Sequence, residues 1–146
     1  MPVNKKPVTS PDEFNADDFS QAAIALHVSS SGEYAGQRPH AHRKGQLILS
    51  MRGAVRCEVD DALWLVPPGH AVWVPGEIPH RCRITKNADT CFLFIEPGAA
   101  AMPEICCTIA VTPLVRELVL YLAEQEHTYS PDSKTARLAA VLLEHI

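Results

Sequence analysis

Between Ala23 and Ile95 the chain is a succession of short apolar or β-branched runs separated by turn residues: Ala23 to Val28, Gln46 to Met51, Ala54 to Val59, Ala62 to Val66, Ala71 to Val74, Arg81 to Ile84 and Thr90 to Ile95. Runs of this length, bounded by Gly, Pro and Asp, predict an all-β sandwich or barrel. The punctuation is strong at Arg52-Gly53, Asp60-Asp61, Pro67-Pro68-Gly69 and Pro75-Gly76. Each supplies the fixed or positive φ that a reversal of the chain needs. Asp60-Asp61, caught between two apolar runs, reads as a hairpin tip.

After Pro97-Gly98 and a stretch of small residues, the apolar period changes from two to about 3.6. Thr112 is placed to cap a helix with Pro113 in its first turn, and Leu114, Val115, Leu118, Val119 and Leu122 then share one face. A second helix follows Pro131-Asp132, capped by Asp132 or Ser133, with Leu138, Val141, Leu142 and His145 on one side. It is expected to be still running at Ile146, and the missing stop signal points to a chain that is part of something longer. Residues 1–20, rich in Pro, Asn, Asp and Ser, read as a loose tail. The expected division is therefore a tail over 1–20, a β-barrel over 21–110 and a helical segment over 111–146.

Composition narrows the class. At 146 residues, with 47% hydrophobic and 21% charged, the chain suits one soluble domain. It has no apolar run long enough for a membrane span and no apolar core for a secretory signal, so a cytoplasmic protein with no membrane partner is expected. A net charge of −4 lacks the basic footprint of phosphate-backbone binding. The five cysteines, Cys57, Cys82, Cys91, Cys106 and Cys107, lack CxxC spacing and read mostly as small apolar strand residues.

The chemistry concentrates in Pro39-His40-Ala41-His42-Arg43-Lys44-Gly45-Gln46 and Pro75-Gly76-Glu77-Ile78-Pro79-His80. Residues two apart on an extended segment share a face, so His40 and His42 can aim at one point, and a barrel can bring His80 beside them. Three neutral imidazoles suit a borderline divalent ion such as zinc, nickel or iron, with positions left open for water or ligand. The alternative is two polar residues facing solvent. His70 reads as an exposed loop residue, and His27, His127 and His145, with no partner at ligand spacing, as structural or solvated. Arg43, Lys44, Arg81 and Arg83 either line a pocket for an anion or form a charged barrel rim, the rim being favoured.

At these residues the chain resembles the cupin superfamily. His40-x-His42, Gln46 and Gly53 fit the first cupin motif, and Gly69, Pro75 and His80 fit the second. Two positions depart from it: Gln46 stands where many metallo-cupins have a carboxylate ligand, and the final Asn of the motif falls on Ile84. The resemblance thus implies a metal set of His40, His42 and His80, with Gln46 as a weak ligand that adds no charge.

From about His40 to Ile146 the chain also looks like the N-terminal half of AraC-family transcription regulators. The carrying residues are His40-Ala41-His42-Arg43-Lys44-Gly45-Gln46-Leu47, the block Trp64 to Pro75, Pro79-His80 and Thr112-Pro113-Leu114-Val115-Arg116-Glu117-Leu118. That resemblance implies a mainly β fold: a cupin double-stranded β-helix, jelly-roll-like, followed by two C-terminal helices. It further implies a small-molecule effector, a homodimer paired through the helices, and DNA binding only through a C-terminal domain beyond this chain. A small metal-dependent cupin enzyme, of dioxygenase, isomerase or decarboxylase type, is the alternative.

Overall fold

A computed structural model describes residues 14–29, 39–85 and 87–146. It contains β1 (Ala23–Ser29), β2 (Gly45–Arg52), β3 (Val55–Val59), β4 (Ala62–Leu65), β5 (His70–Val74), β6 (His80–Ile84), β7 (Asp89–Ile95) and β8 (Cys107–Ala110), then α1 (Pro113–Ala123) and α2 (Lys134–Glu144). The first seven strands coincide with the seven apolar runs. The eighth comes from the small-residue stretch and was not expected from its sequence.

Two antiparallel sheets face each other, one in the order β1-β7-β2-β5-β8 and one in the order β4-β3-β6. The chain changes sheet at Arg52–Gly53, at Pro67–Gly69, at Pro75–Pro79 and again after Ile84, so that β2 pairs with the distant β7 and β3 with the distant β6. Beside β6, His40 forms an isolated bridge to His80. This is the jelly-roll order of a cupin-type double-stranded β-helix followed by two helices.

Alternation decides what fills the interior. On β3, Val55, Cys57 and Val59 point inward while Arg56 and Glu58 point out. Opposite them on β6, His80, Cys82 and Ile84 point inward. With Ile24, Leu26, Ile48, Val72, Phe92 and Phe94 from the larger sheet, these residues make the barrel core. Cys57 and Cys82 are free thiols that hydrogen-bond to each other across the strand pair, and burial pushes the Cys91 thiol up to about 12. They behave as the small apolar residues expected.

The outer face of the larger sheet is apolar too, through Ala23, Ala25, Leu47, Leu49, Trp73 and Leu93, and it is covered by the helices through Val115, Val119, Leu122, Ala139 and Leu142. Thr112 caps α1 by accepting from Val115 N–H, and Ser133 caps α2 by accepting from Ala136 N–H. Between the helices, the Tyr129 hydroxyl bonds the Ala23 backbone and His127 faces the Ala25 carbonyl, which shields the free edge of β1.

Three expectations are corrected. Leu114 and Val141, expected on the same apolar faces as their neighbours, are exposed, because the buried positions lie at 115, 119 and 122 on α1 and at 139 and 142 on α2. The second helix ends at Glu144 with His145 as its cap, where it was expected to run through Ile146. Of the loose tail, residues 1–13 lie outside the described residues, whereas 14–20 join the packed structure. Phe14 and Phe19 stack on each other and pack on the barrel core, and Ala16 is buried in a 3-10 turn capped by Asn15. Two aromatics in a polar segment bury enough apolar surface to offset the entropy of ordering it.

Candidate metal centre

His40, His42 and His80 reach one point by different routes. His40 and His80 exchange both backbone hydrogen bonds of their bridge, His40 N to His80 O at 3.0 Å and His80 N to His40 O at 2.9 Å. His42 lies two residues beyond His40, and its carbonyl accepts from Glu77 N–H at 2.8 Å. Glu77 has φ +68°, so the turn before β6 curls back onto the histidine loop. Gly76 permits this approach: a Cβ there would lie 2.2 Å from the Arg43 carbonyl oxygen, too close for any side chain.

The three imidazoles each offer a nitrogen within 4.8 Å of the others. Ring centroids are 5.6 Å apart for His40 and His42, 4.5 Å for His40 and His80, and 4.9 Å for His42 and His80. His80 is buried and the other two are half-buried. Phe94 meets the His42 ring edge-on at 5.6 Å.

Backbone carbonyls decide which nitrogens face the centre. His42 Nδ1 lies 2.5 Å from Lys44 O, and His80 Nδ1 lies 2.9 Å from Ile78 O. A carbonyl accepts only, so each Nδ1 is placed to donate its N–H, which in the neutral ring leaves the Nε2 lone pair facing inward, the form in which imidazole binds metal. Burial, with His40 and His42 close by, pushes His80 down to about 4 against the opposing effect of the Ile78 carbonyl. At neutral pH it is uncharged. Gln46, buried on β2, completes the group, with its amide oxygen Oε1 3.1 Å from His42 Nε2 and 2.9 Å from His80 Nε2.

A charged network outside the site holds the histidine loop. Asp17 accepts from Arg43 N–H at 2.8 Å and from Lys44 N–H at 3.2 Å. Arg43 makes two bonds to Glu96, at 2.9 and 3.1 Å. The Lys44 ammonium, wholly enclosed, bonds Glu96 and the Phe19 carbonyl. The bond from Arg43 is the main cause that holds the Glu96 carboxyl below its usual range, with Lys44 adding to it against partial burial. Asp17, despite some desolvation, is lowered by the two N–H donors and the Arg43 charge.

The reading of Lys44 as a rim residue is thereby overturned: its stem runs into the fold because Glu96 and the Phe19 carbonyl supply the partners its charge requires. Arg81 and Arg83 are on the outer face of the smaller sheet, Arg81 paired with Glu58, and neither lines the interior. His70 is exposed at the start of β5, His27 pairs with Asp89, and His127 packs edge-on against Phe14 and Phe19. Asp17 and Glu96 were missed from the sequence, which carries no local signal that carboxylates so far apart meet one loop.

The donor set fits a divalent ion of the zinc, nickel or iron kind: among the described residues it is three imidazoles, two with Nδ1 against backbone carbonyls, without a carboxylate, and with the Gln46 amide oxygen at the fourth corner. The family model for the AraC-like ligand binding domain matches residues 27–114, more than half of the chain. The chain belongs to that family.

Among curated relatives, this AraC-like domain is 44% identical over 133 residues to the HTH-type transcriptional regulator NimR of Escherichia coli, a match covering 91% of the chain and 49% of the relative. The chain thus spans about half the length of the relative. Among solved structures it is similar to an apo variant of ToxT from Vibrio cholerae, with a TM-score of 0.59 at 6% identity over 85% of this chain and 54% of that one. It is also similar to wild-type ToxT bound to an unsaturated fatty acid, with a TM-score of 0.53 at 6% identity over 84% of this chain and 50% of that one. At such identity these likenesses show the fold. Among the described residues, no helix is long and apolar enough to cross a membrane.

Proposed function

We propose that this chain is the effector-sensing and dimerising part of an AraC-type transcription regulator, with residues 21–110 as the sensing barrel and 111–146 as the helical dimerisation segment. In this reading His40, His42 and His80 hold a divalent ion, and DNA is gripped by a separate domain outside this chain. The observation that carries the reading is the convergence of three imidazoles, two with Nδ1 tied to backbone carbonyls, inside a barrel of this family.

A bound ion would supply a Lewis-acidic anchor for a small effector with an oxygen or nitrogen donor. The protein's own contribution is positional. Lys44 O and Ile78 O aim the imidazoles, Phe94 packs edge-on against the His42 ring, and the Asp17–Arg43–Lys44–Glu96 network fixes the loop. Because that network ends on the segment holding Phe14 and Phe19, occupancy of the site is coupled to how the N-terminal segment lies on the barrel. A switch of this kind requires an effector that binds the two arrangements with different affinity. A regulator that reaches DNA works in the cytoplasm.

Elemental analysis after mild purification tests the metal part. One zinc, nickel or iron per chain is expected in the wild type, with loss in His42→Ala and His80→Ala; metal-free protein in all three overturns it. A second reading, a small cupin enzyme, is favoured by the coordination positions that three histidines leave open. Stoichiometric iron with turnover of a small organic substrate under dioxygen would establish it. Against it, the group of donor atoms found among the described residues holds three imidazoles and no carboxylate.

A further inference from the structure

Two imidazoles and one amide meet in the barrel, and their hydrogen-bond polarity has to balance. His42 and His80 both have Nδ1 against a backbone carbonyl, which accepts and never donates. With both rings neutral, both Nε2 atoms then present lone pairs, and both lie against the Gln46 amide oxygen Oε1, at 3.1 and 2.9 Å. An amide oxygen in that place would oppose two lone pairs with its own. The amide nitrogen has two hydrogens, one for each ring, and a half-turn about the last side-chain bond interchanges the two ends.

We propose that Gln46 is an amide switch at this site. In the metal-free chain its NH2 group bridges His42 Nε2 and His80 Nε2, and a divalent ion that takes those nitrogens turns the amide so that its oxygen faces the ion. The proposal rests on the metal reading given above and deepens it. A carboxylate at position 46 would lack the two hydrogens that satisfy the empty site and would add a negative charge to the filled one. Glutamine does the reverse. It stabilises the empty site and weakens the filled one, which suits an ion or ion-bound effector that comes and goes rather than a permanent cofactor.

Nitrogen-15 NMR of the 146-residue chain, followed by zinc titration, tests this. In the metal-free protein, His42 and His80 are expected as Nδ1–H tautomers, with nitrogen–nitrogen coupling across the hydrogen bonds from the Gln46 side-chain nitrogen to both Nε2 atoms. Zinc is expected to abolish the coupling, and Gln46→Glu to tighten zinc binding by about tenfold or more. Metal-free imidazoles protonated on Nε2 would overturn the bridge outright. Zinc binding that leaves the Gln46 NH2 signals in place, or that Gln46→Glu changes by less than about twofold, overturns the switch while the metal reading stands. A wild type that shows the bridge but binds no zinc overturns both the switch and the metal reading.

Discussion

Lys44 has a four-carbon stem and an ammonium group fully enclosed between the barrel and the N-terminal segment, with Glu96 and the Phe19 carbonyl as its partners. Enclosing a charge costs several kcal/mol unless its partners are in place, so removing one partner is more damaging than the pair is stabilising. Glu96→Gln is expected to lower stability by about 3 kcal/mol, the low end for such pairs because the Glu96 side chain remains 28% exposed. Urea denaturation at neutral pH measures it, and an unchanged midpoint would mean that Lys44 does not depend on Glu96 for its charge. The same pair ties stability to pH. Glu96 is held below its usual range in the folded state, so its contribution is present above the unfolded carboxylate range and is lost as the pH falls through the folded value. At this scale the sequence was legible only in part. His40, His42 and His80 stood out by spacing, whereas nothing next to Lys44 distinguishes it from the exposed Arg43.

The strands were legible because turn residues punctuate them, and Asp60-Asp61 shows the physics most directly. Val59 and Ala62 lie opposite each other, and both intervening residues have positive φ, +45° and +62°. That is a two-residue turn whose twist matches the strands and which favours Asn or Asp followed by Gly. Asp61→Gly is expected to stabilise the hairpin by about 0.5 kcal/mol, the relief of left-handed strain being partly offset by a more flexible unfolded chain. Thermal unfolding measures it, and a lower midpoint would show that the Asp61 side chain contributes more than its backbone strain costs. The eighth strand was illegible because Cys107–Ala110 is short and half-exposed and is set by pairing with β5, from Trp73↔Cys107 to His70↔Ala110. On α1 the periodicity identified the apolar side, but its centre is set by contact with the sheet. Val115, Val119 and Leu122 are therefore buried while Leu114 is not. On α2 the small Ala139 lies against the neighbouring elements, a role that a search for large apolar residues passes over.

Across the whole molecule the two sheets are treated differently. The outer face of the larger one is covered by helices, and that of the smaller one presents Arg56, Glu58, Leu63, Leu65 and Arg81 to solvent. On the far side of α1, Leu114 and Tyr121 lie two helical turns apart and exposed, with the half-buried Leu118 between them. In the proposed dimer this stripe, and not the Leu122 side of the helix, which is buried, would pair with a second copy. Light scattering at micromolar concentration should then find a dimer for the wild type and a monomer of unchanged circular dichroism for Leu114→Glu combined with Tyr121→Glu. A monomeric wild type would remove the helical segment from any role in assembly.

By itself the sequence determined what depends on neighbours along the chain: the strand runs and their turns, the Thr112 cap and a second cap at Asp132 or Ser133, the cysteines as packing residues, and three histidines at the spacing of one known fold. Only the tertiary structure decided what depends on groups far apart in sequence. It placed Lys44 inside with Glu96, set Asp17 against the histidine loop, turned Nε2 of His42 and His80 inward by way of backbone carbonyls, and put Gln46 between them. Periodicity and propensity are short-range and survive in a one-dimensional reading, whereas burial, charge pairing and the tautomer of an imidazole belong to the atoms that folding brings alongside.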